Sequence, residues 1–238
     1  MRDVAIIGVG HTKFGRAAKS SLELFSEAAL QAMDDAGVTG KEIEALFQGA
    51  ALPGFEEAQV MPAAFSAAEL NLGPIPATRY EGACASASVA IRDAVMWVAS
   101  GDFDMVLAGG VEKALSMGTA FATRTFAMSC HSPTEGPVGL TFPGVFAMAA
   151  RRYAVEYGIP LDELREKMAY VSMKNHKHGA LNPLAQFYKK MGELKVEDVL
   201  NARMVADPLT LLDCCPFSDG AAALVLCAAE DARRYSDA

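Results

Sequence analysis

Through residues 4–110, short apolar runs alternate with segments whose apolar positions recur every three or four residues, and this leaves few folds open. Residues 4–9 form a continuous apolar run, the mark of a buried strand. Ser20 and Glu23 make a capping box ahead of Leu22, Phe25, Ala29, Ala32 and Met33, and Gly37 stops that helix. Residues 45–49 supply a second strand, 62–70 a second helix, 77–81 a third strand, and 105–108 a fourth that ends in Gly109-Gly110. Strand and helix in alternation predict an α/β fold with a largely parallel, layered sheet.

After Gly110 the rhythm changes. Residues 111–145 carry Thr, Ser, Pro and Gly with little periodicity. Helical spacing resumes over 145–157, stopped by Gly158, and again at Leu161, Leu164, Met168 and Val171. Lys174, His176, Lys177 and His178 then close a helix ahead of Gly179 and Asn182-Pro183. Asp219-Gly220 has the form of a turn into a last apolar strand at 221–228. The expected organisation is an α/β domain from residues 1–112 plus 213–238, interrupted by an excursion over 113–212.

A chain of 238 residues, 52% hydrophobic and 21% charged, buries a substantial core in one large domain with such an excursion. Its formal charge of −8 argues against nucleic acid or an anionic membrane as the main partner. No apolar run reaches the ~18–20 residues of a membrane span, and the opening residues match a first strand rather than a signal peptide. The five cysteines, 84, 130, 214, 215 and 227, are odd in number and contain no C-x-x-C pair. They predict free thiols in a reducing, cytoplasmic setting and no zinc ribbon. His176-x-His178 has no second pair at metal spacing, so no metal site is expected.

Chemistry concentrates at Cys84. The segment 77–81 leads through Gly82 into this cysteine, and a helix begins at once, with apolar positions at Ala87, Ile91, Ala94, Val95 and Val98 and a stop at Ser100-Gly101. A helix start gathers unpaired N–H groups and the positive end of the helix dipole, which favour a thiolate. The dipole is worth about 0.3–1 kcal/mol, or ~2 when partly buried. That alone is too little for full activation, so a base or cation beside the thiol is also expected. Ala83, Ala85 and Ser86 are small enough to let an acyl group approach the sulfur.

Cys84-Ala85-Ser86 resembles the nucleophile motif of the thiolases, with Ala87 where the family usually has glycine. Three further blocks resemble the sterol-carrier-type and archaeal-type branch: residues 108–117 with Gly109, Gly110 and Glu112, residues 175–187, and residues 207–223. The resemblance implies a layered α/β/α amino-terminal half carrying an inserted loop domain, 113–212 here. It implies an acyltransferase acting on acyl-CoA by Claisen condensation or thiolysis through a cysteinyl acyl-enzyme at Cys84. No permanent cofactor is implied, since the coenzyme A thioester is itself the substrate. The family's second half, with its histidine and second cysteine motifs, finds no match, so a second-half thiolase polypeptide is an implied partner. So is a second copy of this chain, in a dimer or tetramer paired along residues 77–81. A β-ketoacyl synthase or hydroxymethylglutaryl-CoA synthase half, and a non-catalytic scaffold subunit that binds coenzyme A, are the alternatives.

Ser116 and Met117 line the pocket by resemblance only, and His131, Leu140 and Phe142, with Met148, are placed along the pantetheine arm. Gly109, Gly110 and Glu112 are expected to serve close backbone packing with a carboxylate near a helix start. Arg124, Lys174, Lys177, Lys189 and Lys190 fit solvated helix ends better than ligand contacts. Cys214 and Cys215 are expected as two free, buried thiols, Trp97 as packing, and Asp219 as a turn residue.

Overall fold

A computed structural model describes residues 1–235; one unit is Met1–Met117 with the segment that returns at Ser218, and the other is Gly118–Phe217. The first unit runs β1 (Val4–His11), α1 (Ser21–Ala36), β2 (Ala45–Gly49), α2 (Pro53–Glu56), α3 (Pro62–Glu69), β3 (Ala77–Tyr80), α4 (Ser86–Ser100) and β4 (Met105–Lys113). The second holds α5 (Thr119–Phe126), α6 (Phe142–Glu156), α7 (Leu161–Leu181), α8 (Val196–Leu200) and the paired β5 (Met204–Ala206) and β6 (Leu209–Thr210). The chain then returns to the first unit as β7 (Asp219–Ala228).

The five-stranded sheet has the order β1-β7-β4-β2-β3. β2 is parallel to β3 and β4, while β7 is antiparallel to both β1 and β4, so β7 alone runs against the other four. Alternating residues feed two cores. Leu46, Leu107, Ala223 and Val225 pack against Leu24, Phe25, Ala28 and Met33 of α1 on one face. Phe47, Val106, Ala108 and Leu226 meet Ala90, Ala94 and Val98 of α4 on the other. This is the α/β/α layering the resemblance implied. Alanine and glycine set the spacing: a Cβ at Gly8 would come within 2.1 Å of the Ala32 carbonyl, so α1 lies directly on β1.

Several sequence expectations change. β1 is an edge strand rather than a buried one, with Ile6 and Val9 each 56% exposed, because β7 covers only one side of it. β4 does not end at its two glycines but runs on to Lys113, held by β7 along its whole length. The buried residues of α4 are Ser86, Ala90, Ala94, Val98 and Ala99; of the expected positions Ala94 and Val98 are buried, while Ala87, Ile91 and Val95 lie to the side of that stripe. The aperiodic stretch contains α5, capped at its start by Gly118 with φ +77°. α7 passes through Gly179 and stops before Asn182-Pro183, where proline's ring disfavours a helical residue ahead of it.

Candidate active site

The nucleophile turn is built from hydrogen bonds that sequence spacing makes available. Ala83–Ala85 form one 3-10 turn, and α4 begins at Ser86. The Ala85 N–H donates to the Gly82 carbonyl at 2.9 Å. The Ser86 hydroxyl donates to the Ala83 carbonyl at 2.7 Å and accepts the Gly82 N–H at 3.0 Å, tying the strand exit to the first turn of the helix. The Glu81 carboxylate accepts the Ala83 N–H at 2.6 Å. Ala83 takes φ +50°, a left-handed conformation costing about 1–2 kcal/mol in a residue with a Cβ. These bonds hold that conformation and leave Cys84 exposed. The Cys84 amide and sulfur hydrogen-bond to nothing else among the described residues.

Two glycines let this turn approach the sheet. A Cβ at Gly49 would meet the Ala87 nitrogen at 2.4 Å, and one at Gly110 would meet the Ala87 Cβ at 2.7 Å. The strand ends of β2 and β4 therefore seat the start of α4. Glu112, two residues on, accepts the Ala51 and Leu52 N–H groups at 2.9 and 3.1 Å, just ahead of α2. Backbone packing with a carboxylate at a helix start is thus what the Gly-Gly-x-Glu block provides.

Around Glu112 lies a half-buried charge cluster. Glu56 accepts the Lys113 N–H at 2.9 Å and is pushed up to about 9 by burial, by the charge of Glu112 and by a hydrogen bond with it. Burial also pushes the Glu57 carboxyl up. The Ser21 hydroxyl and amide, with the Lys113 ammonium at 3.3 Å, more than offset this and hold it below the usual range.

Asp219 is not a turn residue. It opens β7 with 0% exposure, and its carboxylate accepts from the Ala17, Leu115 and Ser116 N–H groups and from the Ser116 hydroxyl at 2.6–3.1 Å. Sequence reasoning missed this. Ser116 and Met117 lie in a 3-10 turn after β4, and Ser116 is committed to Asp219.

His131, Leu140 and Phe142 belong to the second unit, whereas Cys84, Ser116 and Met117 belong to the first. His131 is exposed, its Nδ1 2.7 Å from the Thr134 hydroxyl and its N–H donated to Glu135. Leu140 and Phe142 flank Thr141, whose hydroxyl caps α6 by accepting the Gly144 N–H. Cys215 is exposed and Cys214 only partly buried, so the expectation of two buried thiols is corrected. Trp97 is 45% exposed and packs one side on Phe103, centroids 5.8 Å apart. Among the described residues no group of three His, Cys, Asp or Glu is placed to hold a metal ion, and no helix is long and apolar enough to cross a membrane.

Residues 4–230 match the family described as "Thiolase, N-terminal domain". The chain belongs to the thiolase family. An acetyl-CoA acetyltransferase of Methanothermobacter thermautotrophicus is 45% identical over 238 residues, all of this chain and 60% of that protein. Sterol carrier protein 2 of Gallus gallus is 32% identical over 244 residues, covering 98% of this chain and 43% of that one. The thiolase-family chain therefore spans roughly half the length of such relatives. Among solved structures, an Ltp2-ChsH2(DUF35) aldolase superposes with a TM-score of 0.77 at 31% identity, over 98% of this chain and 57% of that one. Human mitochondrial 3-ketoacyl-CoA thiolase in complex with CoA shares the fold, at a TM-score of 0.74 and 16% identity, over 98% of this chain and 66% of that one.

Proposed function

We propose that this chain carries the nucleophile of a thiolase-type acyltransferase. The Cys84 sulfur attacks the carbonyl carbon of an acyl-CoA thioester, and the coenzyme A thiolate leaves with a proton. The second acyl-CoA then loses an α-proton to a base, its α-carbon forms a bond to the acyl carbonyl as the C–S bond to Cys84 breaks, and the thiol is restored; thiolysis of a 3-oxoacyl-CoA runs the same steps in reverse. The single observation that carries this reading is the exposed Cys84 at the start of α4, its own N–H uncommitted among the described residues. In this reading that N–H donates to the oxyanion as the carbonyl becomes tetrahedral. The relatives named acetyl-CoA acetyltransferase favour acetyl-CoA as the substrate. Such chemistry needs no resident cofactor, because the thioester activates its own carbonyl.

The protein as purified, incubated with acetyl-CoA, is expected to gain one acetyl mass on the peptide containing Cys84, and Cys84→Ala to lose it. Acetylation of another cysteine instead would overturn the assignment.

The same reading includes a partner. β3 lies at the sheet edge, paired only to β2 among the described residues. An uncovered edge of this kind suits pairing with the β3 of a second copy. Sedimentation at micromolar concentration is expected to show a dimer or larger, and a stable monomer argues against this pairing. Five free cysteines suit a reducing, cytoplasmic setting.

A further inference from the structure

The run Val4-Ala5-Ile6-Ile7-Gly8-Val9 is apolar, uncharged and free of proline, a composition that pairs readily with another strand. β1, which carries it, lies at the sheet edge opposite β3 and is paired only to β7 among the described residues. Ile6 and Val9 are each 56% exposed. An edge of this kind invites a further strand. Two of its N–H groups, however, are already taken. The Val9 N–H donates to the Asp35 carboxylate at 2.9 Å, and the His11 N–H donates to the Gln31 side-chain oxygen at 3.1 Å. Two residues apart, they belong to the alternating set of N–H groups that a single neighbouring strand leaves unused.

The match between helix and strand is geometric. Two residues of strand advance roughly 6.6–6.8 Å, and four residues of helix advance about 6 Å. Val9 and His11 stand two apart on β1, while Gln31 and Asp35 stand four apart on α1, so one spacing serves both bonds. Gly8 and Gly10 make the approach possible. A Cβ at Gly8 would fall 2.1 Å from the Ala32 carbonyl oxygen, and one at Gly10 would fall 2.1 Å from that of Ala28. The backbone of α1 therefore lies close enough for side chains on its exposed flank to reach the edge of β1. The position of Asp35 is otherwise unfavourable. It stands in the last turn of α1, with no basic residue there, where the helix dipole disfavours a carboxylate.

We propose that Gln31 and Asp35 close the β1 edge, so that a second copy cannot add its own β1 to this side of the sheet. A strand that joins an edge takes the outward N–H groups as donors to its carbonyls. Here that means breaking two bonds already made, with the Asp35 charge beside the edge in both copies. The sheet is then left with β3 as its open edge. Assembly through one self-complementary edge stops at two chains, whereas two open edges propagate. That last step rests on the pairing through β3 proposed above; the closure of β1 does not.

Both side chains are exposed, and alanine is the better helix former, so substitution leaves α1 intact. Amide exchange followed by NMR reads each bond separately. Asp35→Ala is expected to speed exchange at Val9 by roughly 2- to 10-fold and not at His11, and Gln31→Ala to do the reverse. Asp35→Asn, which keeps an acceptor, is expected to retain the protection at Val9. Exchange that none of these variants alters overturns the proposal. Light scattering reads the consequence. The double variant Gln31→Ala, Asp35→Ala is expected to grow at micromolar concentration into species larger than the parent protein forms. Adding Val9→Lys is expected to restore the parent's size, because a charge at this exposed position blocks the same edge. A double variant that keeps the parent's size, or growth that Val9→Lys leaves unchanged, overturns the closure of β1. A monomeric parent overturns only the pairing through β3.

Discussion

Asp219 shows how much one carboxylate can organise. Its two oxygens satisfy three backbone donors and one hydroxyl that would otherwise be stranded around a fully buried site. A stranded buried donor costs about 1–3 kcal/mol, so Asp219→Ala is expected to destabilise the protein by about 3 kcal/mol or more. Asp219→Asn keeps one acceptor and should lose less, and urea unfolding of the two variants measures the difference. Nothing local distinguishes this aspartate from a solvated turn residue. Its partners Leu115 and Ser116 are about a hundred residues away, so the pairing exists only once the fold brings β4 and β7 together. The turn around Cys84, by contrast, was legible as a strand-to-helix turn because the hydrogen bonds within it join residues no more than four apart. Glu56 carries a pH signature. Its folded carboxyl, pushed up to about 9, keeps a proton that the unfolded chain releases near 4.5. Stability from this group is fully present below the unfolded value and is lost as pH rises between about 4.5 and about 9. Glu112, Glu57 and Lys113 surround it. Glu56→Gln removes this titration and is expected to flatten the fall in urea midpoint between pH 5 and pH 9. An unaltered slope would mean that another group is responsible.

At the level of elements, the strand ends of β2 and β4 decide where α4 begins. Gly110→Ala places a methyl 2.7 Å from the Ala87 Cβ, whereas Gly49→Ala drives one into the backbone of Ser86 and Ala87 at 2.4–2.6 Å. Each is expected to destabilise by about 1–3 kcal/mol and to slow acylation of Cys84. The two should differ in rescue. Ala87→Gly removes the nearest atom that obstructs Gly110→Ala, but it leaves the backbone atoms that obstruct Gly49→Ala in place. Thermal unfolding and the acetylation rate of the four variants check this, and equal rescue of both would refute the proposed seating of α4. The elements themselves were mostly legible, because capping and periodicity are local signals: Ser20 and Glu23 do form the capping box, and Gly37 and Gly101 do end their helices in left-handed conformations. Orientation was less so. The apolar residues of α4 cover more than one face, and only contact with Phe47, Val106 and Leu226 selects Ala90, Ala94 and Val98 as the buried stripe. The edge position of β1 was likewise invisible, since it depends on β7 arriving from the far end of the chain.

For the molecule as a whole, sequence reasoning expected an insertion because the strand–helix alternation stops after Gly110 and later regains a strand, and the chain leaves the first unit after Met117 and returns to it at Ser218. The placement of groups around Cys84 was not legible, for a physical reason. Thiolase chemistry needs a base to remove a proton from the second acyl group, and donors facing the resulting enolate. Those groups need share no local pattern with the nucleophile. In the structure, the Cys84 sulfur hydrogen-bonds to no described side chain, so the base or cation that sequence reasoning expected beside it is not among its hydrogen-bond partners. On the function proposed above, acylation and release are expected to separate in this chain. Acylation needs the thiol and the helix-start N–H, both present, and is expected to proceed to about one acetyl group per chain. Release by condensation needs the base and is expected to be slow when these 238 residues act alone. Single-turnover acetylation measured beside steady-state acetoacetyl-CoA thiolysis, with and without a polypeptide carrying the second half of a thiolase, tests this. Acetylation without turnover, and turnover on adding the second polypeptide, is the expected pattern. Sustained Cys84-dependent thiolysis by the chain alone would show that a base within these residues serves the reaction.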